Sequence, residues 1–124
     1  MSTVKAANLQ STGSGAPAFK NSSGTEIGQL AKAWGLIQSD GTISDDFNVS
    51  SVTLNSAGKY TISFSTALSS ANYAVNATVN KELTGVSQEQ NIAYFNASTS
   101  GFSLNQNNAA AFESNGFAFV VHGA

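Results

Sequence analysis

Ala31-Lys-Ala-Trp-Gly-Leu-Ile-Gln-Ser-Asp-Gly-Thr-Ile-Ser-Asp-Asp-Phe-Asn-Val-Ser-Ser-Val-Thr-Leu54 decides the fold class. It contains the only tryptophan, Trp34, and a turn signal at Ser39-Asp-Gly-Thr42 between two β-type runs. Asp40-Gly41 is a hairpin dipeptide, because glycine accepts the positive φ that a tight turn between twisted strands demands. Before the turn, Leu30, Ala33, Trp34 and Ile37 would share one face of a helix. A strand would instead set Leu30, Trp34 and Leu36 against Ala31, Ala33 and Ile37. Gly35 and the β-rich sequence that follows favour the strand.

Downstream, alternation is clearer. Tyr60, Ile62 and Phe64 interleave with Thr61, Ser63 and Ser65, and Tyr73, Val75, Ala77 and Val79 with Ala74, Asn76, Thr78 and Asn80. Both patterns are those of strands with one buried face. Further short strands are expected at Phe47–Val49, Val52–Leu54, Asn91–Ala97 and Phe102–Leu104. Turns are expected at Asn55–Lys59, Ser69–Asn72 and Ser98–Gly101. Lys81–Gln90 reads as a long loop or weak hairpin, and Asn105–Asn115 as a polar, Ala-rich loop. In the closing run Phe117, Phe119 and Val121 alternate with Ala118, Val120 and His122. Both parities are largely apolar, as in a strand that is central or covered on two faces. Six or seven short strands separated by turn chemistry predict an all-β fold, an antiparallel β-sandwich of jelly-roll-like form, over residues 29–124. Trp34, Tyr60, Ile62 and Phe64 are its expected core, and truncating Trp34 to alanine would then cost about 3–5 kcal/mol.

Residues 1–28 read differently. Their large apolar residues, Val4, Leu9, Phe19 and Ile27, are far apart, and Gly13-Ser-Gly15 and Ser22-Ser-Gly24 favour turns or flexibility. Such a segment cannot repay its ordering entropy alone. It is expected to be an extended arm, either disordered or ordered by a partner, and used for docking or oligomerisation.

Composition narrows the function. Charged residues make up 10% of the 124, against roughly 25% in ordinary globular domains. There is no arginine, and the net charge is −2. Eight Phe, three Tyr and one Trp supply a core, so this is not a disordered composition. The implied surface is one of amides and hydroxyls, with little charge repulsion to oppose self-association. Nucleic-acid binding is disfavoured, because neutralising phosphates takes a basic stripe. With no cysteine, disulfides and thiol chemistry are excluded. No apolar run marks a signal peptide or approaches the ~18 residues of a transmembrane helix, so cytosolic synthesis without membrane insertion is expected.

No legible active site emerges, and no catalytic residue, cofactor or metal site is expected. His122 is the only histidine, and nothing nearby offers the orienting partner a general base needs. Asp40, Asp45 and Asp46 lack the D-x-[DN]-x-[DN]-G spacing of a calcium loop, so solvated carboxylates around a hairpin are the commoner case. Glu26, Glu82, Glu89 and Glu113 lie in loop-like contexts rather than on facing strands, where a glycosidase would hold its acids. Asn21, Asn48, Asn76 and Asn96 begin Asn-x-Ser/Thr triplets that an Asn- and Ser-rich chain produces by chance. Gly13 and Gly15 lack the flanking strand and Gly-Lys-Ser/Thr of a phosphate loop. Trp34, Tyr73 and Tyr94 are candidates for a sugar-binding aromatic platform, though such residues are more often core.

The run Ala16-Pro-Ala-Phe-Lys-Asn-Ser-Ser-Gly-Thr-Glu-Ile-Gly-Gln-Leu-Ala-Lys-Ala-Trp34 carries a more specific signal. With Phe47-Asn-Val-Ser-Ser51, Gly58-Lys-Tyr-Thr-Ile-Ser-Phe64 and Ala71-Asn-Tyr73, it resembles small virion proteins of tailed bacteriophages. The likeness is to C-terminal modules of tail fibres and related spikes, many from marine and cyanobacterial phages. It covers residues 16–75 and, more loosely, Phe117–Gly123. Where such modules continue Ala-Lys-Ala-Trp with Val-Asn-Phe and a Gly-rich turn, this chain has Gly35-Leu-Ile-Gln-Ser-Asp-Gly41. The resemblance implies a virion structural protein, a homotrimer of β-sandwich knobs made in the host cytoplasm. Two placements follow. A tail fibre or tip would bind a host surface glycan or protein through loops 81–90 and 105–115. A capsid decoration (cement) or head-fibre protein would lay its arm on other virion proteins.

Overall fold

The computed structural model describes residues 2–13, 17–80, 91–107, 111–112 and 114–123, and every helix or strand among them is a β-strand. The chain divides into two compact units, Met1–Leu30 and Ala31–Ala124. The first holds a short antiparallel hairpin of β1 (Phe19–Lys20) and β2 (Glu26–Gly28). Asn21 builds its turn: Oδ1 accepts the N–H groups of Ser23 and Thr25, each at 3.0 Å, and Gly24 takes a φ of 80°. This hairpin was not expected from the sequence, because its two arms are too short to show alternation.

The second unit is an antiparallel β-sandwich. One sheet has the order β4-β3-β10-β7 and the other β5-β6-β9-β8. The strands are β3 (Ala33–Ile37), β4 (Ile43–Phe47), β5 (Val49–Ser56), β6 (Lys59–Phe64), β7 (Tyr73–Val79), β8 (Asn91–Ser98), β9 (Gly101–Asn107) and β10 (Phe117–Gly123). Eight strands in two four-stranded antiparallel sheets make the expected β-sandwich. β10 lies inside its sheet between β3 and β7, which accounts for its apolar residues on both parities.

Between the sheets, the alternating aromatics meet as rings. Tyr60 and Phe117 stand 4.9 Å apart edge to face, Phe102 and Phe119 5.3 Å, and Phe64 and Tyr73 5.9 Å. Each pair joins a strand of one sheet to a strand of the other, and aromatic contacts of this kind add to the area they bury. Ile37, Ile62, Leu104 and Val121 complete the closed interior.

Two hairpins and one corner set this geometry. At the β3–β4 turn, Asp40 Oδ1 accepts the Thr42 N–H at 2.9 Å and Gly41 sits at φ 90°. At the β5–β6 turn Gly58 takes φ 68°. Between β4 and β5 a single residue, Asn48, carries the chain from one sheet to the other at φ 59°. Its Nδ2 donates to the Lys32 and Thr66 carbonyls at 3.0 and 3.1 Å, and its Oδ1 accepts the Thr66 N–H at 2.7 Å.

Trp34 corrects one expectation. It is 37% exposed, on the outer face of its sheet, opposite Phe47 on β4 and Val120 on β10. Ala33, Gly35 and Ile37 take the inner parity, because the Phe119 ring fills the space over Gly35. The burial cost assigned above to Trp34 therefore belongs to residues such as Tyr60 and Phe117. Asn105–Asn115 also differs from the expected loop: β9 extends to Asn107, and Gln106 and Asn115 are fully buried. Lys81–Gln90 lies outside the described residues.

A Cβ on Gly35 would lie 2.8 Å from Phe119 Cε1 and 3.1 Å from Cζ. Phe119 is itself confined by Phe102 and Phe117, so Gly35→Ala is expected to destabilise the fold by about 1–3 kcal/mol through overpacking. Urea denaturation measures this, and an unchanged midpoint would contradict the packing described.

Candidate functional site

Among the described residues, the chemically capable side chains do not converge on one site. His122, at the end of β10, is exposed. Asp40, Asp45 and Asp46 share the β3–β4 hairpin and spend their carboxylates on backbone donors. Asp40 holds Thr42, Asp45 Oδ1 accepts the Asp46 N–H at 2.9 Å, and Asp46 Oδ2 accepts the Val49 N–H at 3.0 Å. The Thr42 hydrogen bonds hold the Asp40 carboxyl below its ordinary value. Among the described residues no group of three or more His, Cys, Asp or Glu is placed to hold a metal ion. Glu26 lies on β2 opposite Lys20 rather than in a loop, and Glu82, Glu89 and Glu113 lie outside the described residues.

The aromatic platform does not form. Tyr73 is buried between the sheets, and its hydroxyl donates towards the Gly101 and Ser98 carbonyls at 2.7 and 3.0 Å. Tyr94, 41% exposed, meets the Phe102 ring edge to face at 6.3 Å. Trp34 is on the opposite face of the sheet that holds Tyr73. Of the Asn-x-Ser/Thr triplets, Asn48 has its amide nitrogen committed to two carbonyls and Asn21 closes a turn, whereas Asn76 is exposed.

Surface features are what remain. Trp34, Leu36, Phe47, Ala118 and Val120 lie side by side on the outer face of the β4-β3-β10-β7 sheet, bordered by Asp45, Asn76 and Thr78. A groove of about 400 Å³ runs between β7 and β8, lined by Val75, Asn76, Ala77, Ile92, Ala93 and Tyr94. Sequence reasoning missed both, since neither is a motif. It also missed the buried amide pair, where Gln106 Oε1 accepts the Asn115 N–H at 2.8 Å. An Asn- and Gln-rich stretch gives no periodic signal for burial.

No protein-family model matches the chain, and neither the curated proteins nor the solved structures contain a match to it. No helix among the described residues is long and apolar enough to cross a membrane.

Besides Asp40, two core tyrosines feel the fold. Burial, above all, pushes the Tyr60 and Tyr73 hydroxyls above the ordinary tyrosine value of 10.0. The folded chain then keeps protons that the unfolded chain has lost, so stability is full below that value and falls as pH rises beyond it. Melting temperature is expected to decline from about pH 9 to about pH 11, and less steeply in Tyr60→Phe and Tyr73→Phe. Equal slopes in all three proteins would contradict the burial of these hydroxyls.

Proposed function

We propose that this protein is a structural subunit of a tailed-bacteriophage particle: a homotrimeric tail-fibre or tail-tip knob that mediates adsorption to the host and carries no enzymatic activity. The reading rests on the resemblance of residues 16–75 to fibre modules that the sequence suggests. The antiparallel sandwich supports it, being a compact form suited to a terminal knob. His122 at the end of β10 and the hairpin aspartates, whose carboxylates accept backbone N–H groups, suit a surface that binds rather than reacts. The weak surface charge suits contact with a neutral host glycan or protein, in which hydroxyls, amides and exposed aromatics do the recognising. Such a particle subunit needs no cofactor, and its partners are copies of itself, other virion proteins and the host surface.

A second placement, a capsid decoration or head-fibre protein, is favoured by one feature. The Met1–Leu30 unit exposes Val4, Leu9, Ile27 and Leu30 by half or more, as a segment made to lie along another protein would. In that role it would stabilise the shell.

Immunogold labelling of intact particles with an antibody against residues 29–124 tests the reading. Label on the tail is expected. Label spread over the head would replace adsorption with decoration, and label on no particle would overturn the virion assignment.

A further inference from the structure

The register of the β4-β3-β10-β7 sheet sets its outer side chains in rows. One row runs Phe47, Trp34, Val120, Asn76, and the next Asp45, Leu36, Ala118, Thr78. Size is spread unevenly along them. The β4–β3 half carries the bulky apolar side chains, including exposed Trp34 and Phe47. The β10–β7 half is hollowed over Ala118, in a depression of about 280 Å³ lined by Asn76, Ala77, Thr78, Ala118, Phe119 and Val120. The outer face of the other sheet differs in kind, since Ser51, Thr53, Thr61, Ser63, Ser103 and Asn105 cover it with hydroxyls and amides.

The apolar face is complementary to itself. A two-fold contact puts the same patch on both subunits, each residue i on j and each j on i. Let the axis lie in the interface, parallel to the strands and between β3 and β10, the two central strands. Each row then meets its own reverse: Leu36 falls on Ala118 of the second copy, Trp34 on Val120, and Asp45 on Thr78. Large side chains meet small ones, which is how the facing surfaces of packed sheets interdigitate. An axis across the strands would set Trp34 on Leu36 and Ala118 on Val120, and would leave the hollow unfilled. Charge agrees with the first arrangement. Asp45 is the one charged side chain in the two rows, and its Oδ1 is held by the Asp46 N–H, which leaves Oδ2 for the Thr78 hydroxyl. The two Asp45 carboxylates lie on opposite edges, about 14 Å apart by strand spacing, and at that distance salt screens their repulsion.

We infer that the outer face of the β4-β3-β10-β7 sheet is a docking surface for the same face of a second copy, with Leu36 of each seated in the hollow over Ala118 of the other. The contact stands apart from the virion reading, since it rests on the sheet alone. A three-fold ring whose members also paired this way would contain six chains.

The test uses the full-length chain and its only tryptophan, because Trp34 lies within the contact. Mass by analytical ultracentrifugation and Trp34 emission are followed together on dilution from about 500 µM to about 1 µM, a span that dissociates pairs of modest affinity. The mass is expected to halve as the emission shifts to the red. Leu36→Lys places a charge in the hollow and Ala118→Phe fills it. Both lie on the solvent side of the sheet, and melting curves establish that each folds. A folded variant is expected to show half the wild-type mass at the highest concentration, with its emission already red. A wild type that is a single chain or a trimer at every concentration would overturn the inference. So would an emission that ignores a falling mass, or folded variants that keep the wild-type mass. A single-chain wild type whose emission responds to a host glycan or a virion protein would give the face to that occupant instead.

Discussion

Asn48 is the residue on which the sandwich turns. A β-sandwich needs strands that leave one sheet and enter the other, and here β4 becomes β5 across a single residue. A left-handed backbone conformation makes so sharp a corner, and asparagine is among the few side-chain-bearing residues that tolerate it. The same side chain then satisfies three backbone groups that the corner would strand, on the segment entering β3 and on the segment leaving β6. Corner and clamp are one residue, so strand geometry, sheet separation and the approach of Lys32 and Thr66 are set together.

From that corner the interior follows with few degrees of freedom. Once β3 and β6 are placed in opposite sheets, Ile37, Tyr60 and Ile62 face inward. Gly35 leaves the gap that the Phe119 ring occupies, and this fixes the parity of β3. Trp34 is thereby turned outward to join Phe47 and Val120 on the sheet's outer face. Polar side chains close the ends of the sandwich, with Tyr60 reaching the Ser39 carbonyl at 2.7 Å and Ser114 accepting the Gly58 N–H at 2.9 Å.

Much of this was legible in period-two alternation. Tyr60/Ile62/Phe64, Tyr73/Val75 and Phe117/Phe119/Val121 were readable because one parity is large and apolar, and the Asp40-Gly41 turn because few dipeptides suit it as well. Trp34 was misplaced because both parities of its strand are apolar, and the choice rests on a glycine meeting a ring 84 residues away in sequence (positions 35 and 119). Gln106 and Asn115 were unreadable because burial of amides depends on partners, not on pattern. The groove beside β7 was not legible either, since an edge is defined by strand order, and strand order comes from pairings between distant segments.

The described residues present an apolar sheet face, open strand edges and a low-charge exterior, held in place by an aromatic interior. The account depends first on the corner. Asn48→Ala, compared with wild type by equilibrium urea unfolding, measures it most directly. Loss of three hydrogen bonds at about 1 kcal/mol each, with a less tolerant residue at positive φ, predicts destabilisation of about 2–4 kcal/mol. A loss below about 0.5 kcal/mol, within the range of an ordinary surface substitution, would contradict the claim that this residue holds the two sheets together.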